Sequence, residues 1–176
     1  MEYPNLHGET LIIVEGAFIN GLGWPAMVAS RHDTTAQESV DYAQLATRFF
    51  SRWAVSFDET CAAFESLLAP ACRWEQRPLM VTNTRVGALR FLRLSHQLLG
   101  LETIDVELPH LVATGNVVLC ERIDHLRRRD GSLIASARVA GILEFDGDHL
   151  VAWREHFDAV GFALQMPRNA LIRRAR

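Results

Sequence analysis

Hydrophobic and polar positions follow a helical period in the first part of the chain. Apolar residues between positions 42 and 53 recur three and four residues apart, which predicts an amphipathic helix. The capping box Thr35-x-x-Glu38 lies ahead of them and would begin that helix. Ser56-x-x-Glu59 repeats the capping pattern and predicts a second helix.

A strand and a third helix follow. The stretch ACRWEQR, residues 71–77, predicts a strand that leads to Pro78. From about Thr84 to Leu99 the apolar residues again lie roughly on one side of a helix, and Gly100 is the residue expected to terminate it. The first hundred residues therefore contain three predicted helices.

After Gly100 the period changes to that of a strand. Alternating segments are predicted near residues 103–113, 116–127, 133–145 and 148–158. The turn dipeptides Gly115-Asn116, Asp130-Gly131 and Asp146-Gly147 separate them. Asp-Gly between alternating segments is a strong hairpin signal. Helices followed by a meander of strands predict an α+β domain, with the helices segregated to one face of a curved antiparallel sheet.

Length and charge narrow the classes of function. At 176 residues the chain has the size of one domain, so we expect a single domain over 1–176, with an N-terminal extension at 1–35 and a C-terminal tail at 159–176. Its 18 basic and 21 acidic side chains provide no basic field that would attract nucleic acid or an anionic membrane. We therefore expect a small-molecule partner, and neither nucleic acid nor a membrane.

Cysteine and histidine positions suggest no metal site. Cys61, Cys72 and Cys120 are an odd number without a close pair, so neither a disulfide framework nor a zinc site is predicted, and a reducing cytoplasm fits best. The N-terminal apolar stretch is interrupted by Glu15 and predicts neither a signal peptide nor a membrane span. We expect no metal and no cofactor.

Two of the predicted strands carry ionisable residues among apolar ones. Because side chains two positions apart share a face, the sequence predicts two mixed faces: Cys120, Arg122, Asp124 and Leu126 on one strand, and Trp153, Glu155 and Phe157 on another. Val139 and its small neighbours on the strand between them would leave room for a cavity. A buried charge without a partner is costly, so the arginine and the two carboxylates should be paired with one another.

Such a group can carry acid–base chemistry. Arginine stays cationic and can bridge two carboxylates, while desolvation and mutual repulsion separate their proton affinities. One carboxyl can then serve as an acid and the other as a base. Asp158 is the next candidate for the acid if the register of the last strand is shifted by one residue.

The motifs ERID at 121–124 and AWREHFD at 152–158 carry a resemblance to a known family. They are similar to motifs of the limonene-1,2-epoxide hydrolases, which share a cone-shaped fold with ketosteroid isomerase and the SnoaL-like polyketide cyclases. The likeness covers roughly residues 36–158. It implies a cystatin-like cone fold, in which a curved antiparallel or mixed sheet carries the N-terminal helices over its concave face and forms a deep pocket, and it implies a homodimer.

The resemblance also implies residue roles and an activity. Glu155 would be the base that deprotonates an attacking water, Asp124 the acid that protonates the epoxide oxygen, and Arg122 the bridge between them. The expected reaction is cofactor-independent opening of an epoxide in a medium-sized apolar substrate, first of all hydrolysis to a vicinal diol. The residues expected to line the pocket are Trp153, Phe157, Leu126, Cys120 and Val139.

Three positions depart from the family pattern. The family has Asp where this chain has Glu155, and it holds the water with Tyr and Asn where this chain has Trp74 and Gln76. Indole offers one hydrogen-bond donor and no acceptor, so Trp74 cannot fully replace a tyrosine. Trp74 and Gln76 would position either water or substrate, and the pocket would either take a bulkier substrate or open the epoxide without water.

Three interpretations therefore stay open. The first is an epoxide hydrolase, and the second is an epoxide-opening cyclase, isomerase or lyase that uses the same pocket. The third is a non-catalytic small-molecule binding domain, since one fold hosts many functions. Taken alone, Arg122 and Asp124 are more typical of an ion pair on a solvated face of a sheet than of a catalytic pair.

Overall fold

The structure, a computed structural model, describes residues 40–174, with side chains through residue 166. The elements in chain order are α1 (Tyr42–Ser51), a turn of 3-10 helix (Arg52–Ala54), α2 (Phe57–Leu67), β1 (Leu68–Arg77), β2 (Met80–Thr82), α3 (Arg85–Leu99), β3 (Leu101–Thr114), β4 (Val117–Arg128), β5 (Leu133–Asp146), β6 (His149–Phe157) and α4 (Ala159–Arg174). None of the described helices is long and apolar enough to span a bilayer.

The first three helices begin at side-chain caps. Asp41, Ser56 and Thr84 each accept a hydrogen bond from the backbone N–H three residues further on, which satisfies one of the free donors at a helix start. Gly100 ends α3 with φ at 70°, a left-handed conformation that glycine adopts without steric cost. Helix α1 begins at Tyr42 with Asp41 as its cap, and not at the predicted capping box Thr35-x-x-Glu38; that box and the predicted extension 1–35 lie outside the described residues.

The six strands form one mixed sheet in the order β2-β1-β6-β5-β4-β3. Strands β3 to β6 are the predicted meander, each antiparallel to the next. Strand β1 joins the sheet parallel to β6, and the long connection through α3 and the meander allows this pairing. These features confirm the predicted α+β fold.

An aromatic cluster joins the helices to the sheet. Its members are buried side chains from α1, the 3-10 turn, α2, β1 and β6: Phe49, Phe50, Trp53, Phe64, Trp74 and Trp153. Neighbouring rings lie in edge-on, tilted and stacked contacts with centroids roughly 5–6 Å apart, the arrangement that aromatic pairs prefer. The cluster fixes the helices over the one face of the sheet that also carries the ionisable residues.

The C-terminal segment differs from the prediction of a tail. Residues 159–174 form helix α4, and Asp158 caps it by accepting a hydrogen bond from the Gly161 N–H at 2.9 Å. Asp158 therefore belongs to a helix start, in keeping with the predicted register of β6. The four arginines of the last ten residues suggested a solvated tail, whereas the apolar Phe162 and Met166 pack against the core.

Candidate active site

Arg122 lies between two carboxylates beneath the helices. Its Nε donates to both oxygens of Asp124, at 2.8 Å and 3.1 Å, and its Nη2 donates to Oε1 of Glu155. All three residues are buried, with exposed fractions of 2%, 7% and 1%. The three predicted catalytic residues are thus in direct contact, as an arginine bridge between two carboxylates.

The pairing of strands β4, β5 and β6 brings Arg122 into contact with Glu155. Arg122 and Asp124 lie two positions apart on β4 and share a face, whereas Glu155 lies on β6, with β5 between the two strands. Gly141 of β5 is paired with Glu155, so the guanidinium reaches Glu155 by passing over a residue without a side chain. A Cβ placed on Gly141 would lie 3.3 Å from Arg122 Nη1 and 3.0 Å from the Sγ of Cys120, closer than ordinary contacts.

Aromatic rings enclose the guanidinium. Its Cζ lies 4.8 Å from the ring centroid of Phe50, 5.5 Å from that of Trp153 and 5.6 Å from that of Trp53. A cation over the face of a ring is attracted by the ring quadrupole, and the attraction is stronger where water is excluded. The rings therefore stabilise the charge of Arg122 in a place where water cannot.

Burial and the neighbouring charges raise the pKa of both Asp124 and Arg122. Burial raises the pKa of the Asp124 carboxyl above its ordinary value, because it outweighs the lowering effect of Arg122. Burial also works against the charge of Arg122, but the two carboxylates outweigh it and the pKa of the guanidinium is raised. The Asp124 carboxyl therefore keeps its proton to a higher pH than an ordinary aspartate does.

Two side chains of β1 hold the other oxygen of Glu155. Trp74 Nε1 donates to Oε2 at 2.8 Å, and Gln76 Nε2 donates to the same atom at 3.1 Å. The parallel register brings them there, because Gln76 is paired with Glu155 and Trp74 with Trp153. These contacts are direct, so no water fits between either nitrogen and Oε2.

The cluster lies at the wall of an apolar cavity of about 310 Å³. Of the predicted pocket residues, Phe157, Leu126 and Val139 line this cavity. Trp153 and Cys120 are not among the described residues that line it. Trp153 is fully buried and stacks beneath Trp74, with ring centroids 4.9 Å apart, whereas Cys120 lies under the cluster beside Gly141.

Several lining residues were not predicted. They come from the 3-10 turn, α3 and α4: Trp53, Phe91, Ser95, Phe162 and Met166. The helical period marked Trp53 only as a core residue, and the same period cannot distinguish a side chain that packs from one that faces a cavity. Phe162 and Met166 lie four positions apart, which is a weak signal for a helix face in a segment interpreted as a tail.

The buried thiol beside the cluster is not activated. Burial raises the pKa of Cys120, against the lowering effect of Arg122, so its thiolate form is disfavoured. Within the part of the chain that the structure describes, no three His, Cys, Asp or Glu side chains are grouped in a way that could hold a metal ion. The chemistry available in the cavity comes from carboxyl groups, an arginine, an amide, indole N–H groups and the hydroxyl of Ser95.

Several solved structures share this fold. An LEH-like epoxide hydrolase of M. tuberculosis (LEH is limonene-1,2-epoxide hydrolase) has a TM-score of 0.59 at 21% identity, over 73% of this chain and 91% of that one. A protein of Shewanella denitrificans named as a SnoaL-like polyketide cyclase has a TM-score of 0.58 at 17% identity, over 71% and 95%. A hypothetical protein of Catenulispora acidiphila with a ketosteroid isomerase-like fold has 0.57 at 12%, over 70% and 92%.

A match in sequence, and not these superpositions, shows which family the chain belongs to. At such identities the structural similarity establishes a common fold, and no curated protein matches the chain. Residues 53–168, however, match the family model of the limonene-1,2-epoxide hydrolase catalytic domain. That span runs from Trp53 to the first turns of α4 and contains the whole cluster around Arg122. The chain therefore belongs to the limonene-1,2-epoxide hydrolase family.

Proposed function

We propose that this protein opens the epoxide ring of an apolar substrate by acid–base catalysis, first of all by hydrolysis to a vicinal diol. The observation that carries the proposal is the buried bridge of Arg122 between Asp124 and Glu155 at an apolar cavity. A carboxyl whose pKa is raised keeps its proton to a higher pH than an ordinary aspartate and can serve as an acid, and membership of the family supports an epoxide as the acceptor.

In the hydrolytic reaction a water oxygen bonds to an epoxide carbon while the bond from that carbon to the ring oxygen breaks. Asp124 gives its proton to the ring oxygen, and the Glu155 carboxylate takes a proton from the water. A proton then returns from Glu155 to Asp124 and restores the starting state. Arg122 donates to both carboxyl groups, so it fixes their orientation and stabilises whichever of them is charged.

A second candidate is epoxide opening without water, to a cyclic ether or a rearranged isomer. The direct contacts of Trp74 and Gln76 with Oε2 of Glu155 favour it. An oxygen that already accepts two hydrogen bonds has no lone pair left for a water, whereas Oε1 accepts one bond, from Arg122, among the residues described. Water would therefore have to approach Glu155 from the Oε1 side, or a hydroxyl of the substrate would take its place.

Product analysis in isotopically labelled water separates the two candidates. The wild-type protein would be incubated with a panel of apolar cyclic and straight-chain epoxides in water enriched in oxygen-18. Hydrolysis predicts a diol with one labelled oxygen, whereas internal opening predicts a product of the same mass as the substrate with no label. Turnover of none of these epoxides, together with retention of their diols, would support a binding domain and contradict the proposed catalysis.

Two amide variants test the residue roles. Asp124→Asn and Glu155→Gln should each lower kcat by about 10²–10⁴-fold, the usual contribution of a general acid or base. Glu75→Gln is a matched control, because Glu75 is also a buried carboxylate on a central strand, but its partners are Arg73 and Arg77 and it does not line the cavity. Full turnover in either catalytic variant would contradict the assigned roles.

Assembly and location remain predictions. The homodimer implied by the family resemblance predicts a solution mass twice that of one chain by light scattering. The cysteine content predicts recovery of the protein in the cytoplasmic fraction. A monomer mass at high protein concentration, or recovery in another fraction, would contradict the respective expectation.

A further inference from the structure

The cavity face of helix α3 carries one hydroxyl group among apolar side chains. Ser95 lies three or four positions from four other residues of α3 that line the cavity: Phe91, Leu92, Leu98 and Leu99. A hydroxyl group on an apolar wall costs free energy unless it forms hydrogen bonds. At Ser95 this wall therefore replaces apolar contact with one polar atom that needs a partner.

The proton of the Ser95 hydroxyl is already used inside the helix. Ser95 Oγ donates to the Phe91 carbonyl at 3.0 Å, a bond that helical serines form with the residue four positions back. A hydroxyl oxygen that donates its proton still has two lone pairs. Among the residues described, none donates a hydrogen bond to this oxygen. Ser95 Oγ is therefore a hydrogen-bond acceptor at the cavity.

The charged and amide groups of the cavity lie on a different wall. The sheet carries the Arg122 cluster and Gln76. Phe91 connects the two walls, because its ring contacts that of Trp74 edge-on, with centroids 5.7 Å apart. Ser95 is one helical turn, about 5.4 Å along the axis, beyond Phe91. A ligand that occupies the cavity can therefore meet the reacting groups on the sheet and a separate acceptor on α3.

We propose that Ser95 is a specificity-determining residue that accepts a hydrogen bond from a hydroxyl group of the substrate. The substrate class is an apolar molecule with an epoxide at the Arg122 cluster and a hydroxyl group, several carbon atoms away, at α3. A ketone or an ether fits less well, because Ser95 would have to release the Phe91 carbonyl before it could donate to either. An ammonium group would lose its hydration on an apolar wall.

This inference rests on the proposed function for the position of the epoxide, whereas unreactive ligands test the acceptor without catalysis. Straight-chain 1,2-diols and matching triols, with a third hydroxyl group at successive carbons, would be titrated into the full-length protein. Tryptophan emission reports binding, since Trp53 and Trp74 line the cavity. A hydroxyl group buried without a partner weakens binding about 5–150-fold. In the wild type, the triol whose third hydroxyl group reaches Ser95 should escape this penalty.

Three variants distinguish Ser95 from water as the partner of that hydroxyl group. Ser95→Ala should weaken binding of this triol about 5–150-fold and leave binding of the diol unchanged, because only the triol loses a partner. Ser95→Thr keeps the acceptor and should bind the triol as the wild type does. Ser51→Ala is the matched control, because Ser51 also donates to a carbonyl of its own helix, that of Arg48 at 3.0 Å, but is exposed and does not line the cavity.

The outcomes separate this inference from the proposed function. A triol whose affinity falls in Ser95→Ala but not in Ser95→Thr or Ser51→Ala supports the acceptor even if no epoxide is turned over. Equal affinities of every triol for the wild type and Ser95→Ala, an equal loss in Ser51→Ala, or failure of the wild type to bind any ligand of the series would overturn it. With the matching hydroxylated epoxide, Ser95→Ala should raise KM and leave kcat unchanged, as expected of a residue that binds the substrate and takes no part in the chemistry.

Discussion

At the scale of single residues, the Glu155 carboxylate accepts more hydrogen bonds from protein side chains than a base open to water would. Arg122, Trp74 and Gln76 all donate to its carboxylate, and its exposed fraction is 1%. Asp124 receives donors from Arg122 alone among the residues described, and burial raises its pKa. The two carboxyls therefore have different environments, as separate acid and base roles require.

The pH dependence of turnover should report the Asp124 proton. If Asp124 is the acid, kcat/KM falls as the pH rises through its pKa, which lies above the ordinary value of about 3.9 for an aspartate. The measurement is kcat/KM across pH for the wild type and Asp124→Asn. The decline should be absent from the residual activity of the variant, and an identical decline in both proteins would assign it to another group.

The same carboxyl should affect stability in a defined pH window. Its folded-state pKa is raised, so the folded protein binds this proton more tightly than the unfolded chain does. The stabilisation is fully present below the unfolded pKa and is lost as the pH rises through the folded one. Urea unfolding of the wild type and Asp124→Asn should show this loss in the wild type only, and a difference independent of pH would contradict it.

Gly141 should be intolerant of even one methyl group. Gly141→Ala would press on Arg122 Nη1 and Cys120 Sγ, and overpacking of this kind costs about 1–3 kcal/mol in the free energy of unfolding. Turnover should also fall, because the bridge to Glu155 is displaced. Adding Cys120→Ala relieves the thiol contact, so the double variant should regain stability but not turnover, as judged by urea unfolding and kcat. Wild-type turnover in Gly141→Ala would show that the bridge adapts.

At the scale of elements, the sequence predicted most of what positions the site. Capping residues and Asp-Gly turns located the helices and the meander, and a period of two placed Arg122, Asp124 and Glu155 on faces that meet. The period could not predict that Gln76 and Glu155 touch directly. Each is one methylene longer than the residue that the family resemblance implies at its position, and the two are paired across β1 and β6, so the contact depends on tertiary register.

The sequence did not predict helix α4, because the four arginines of the last ten residues suggested a solvated tail. The attachment of α4 to the sheet can be tested. Gln165→Ala removes both hydrogen bonds to Ser136 and should lower the free energy of unfolding by about 1–2 kcal/mol, since each net hydrogen bond contributes roughly 0.5–1.5 kcal/mol. Hydrogen exchange at the Ser136 amide should become faster. Leu164→Ala, on the exposed side of α4, should leave that exchange rate unchanged, and equal protection in both variants would contradict the attachment.

At the scale of the whole molecule, the buried Arg122 cluster puts the stability of the fold at risk. Desolvation of buried ions can exceed their mutual attraction, but removing one partner leaves the others unpaired. Arg122→Met should therefore cost about 3–5 kcal/mol of a total that is about 5–15 kcal/mol in ordinary domains. The loss should be smaller at low pH, because protonation of Asp124, whose pKa is raised, removes one of the charges that Arg122 offsets.

Urea unfolding at several pH values would measure this effect. Arg154→Met provides the comparison, because Arg154 pairs with Glu144 where both side chains are about one-third exposed, and such pairs contribute about 0–1 kcal/mol. Equal losses in the two variants, or a loss in Arg122→Met that is independent of pH, would contradict unpaired burial as the cause.

The two hydrogen bonds between Gln165 and Ser136 have a consequence for association between molecules. Strand β5 continues past the end of β6, and an exposed strand edge is a template on which another chain can add a strand. The Gln165 amide occupies the N–H and C=O groups of Ser136, and so takes the place of a neighbouring strand at this position. A chain truncated before α4 would present that edge to its neighbours, and we expect it to aggregate through β5 even where its remaining core stays folded.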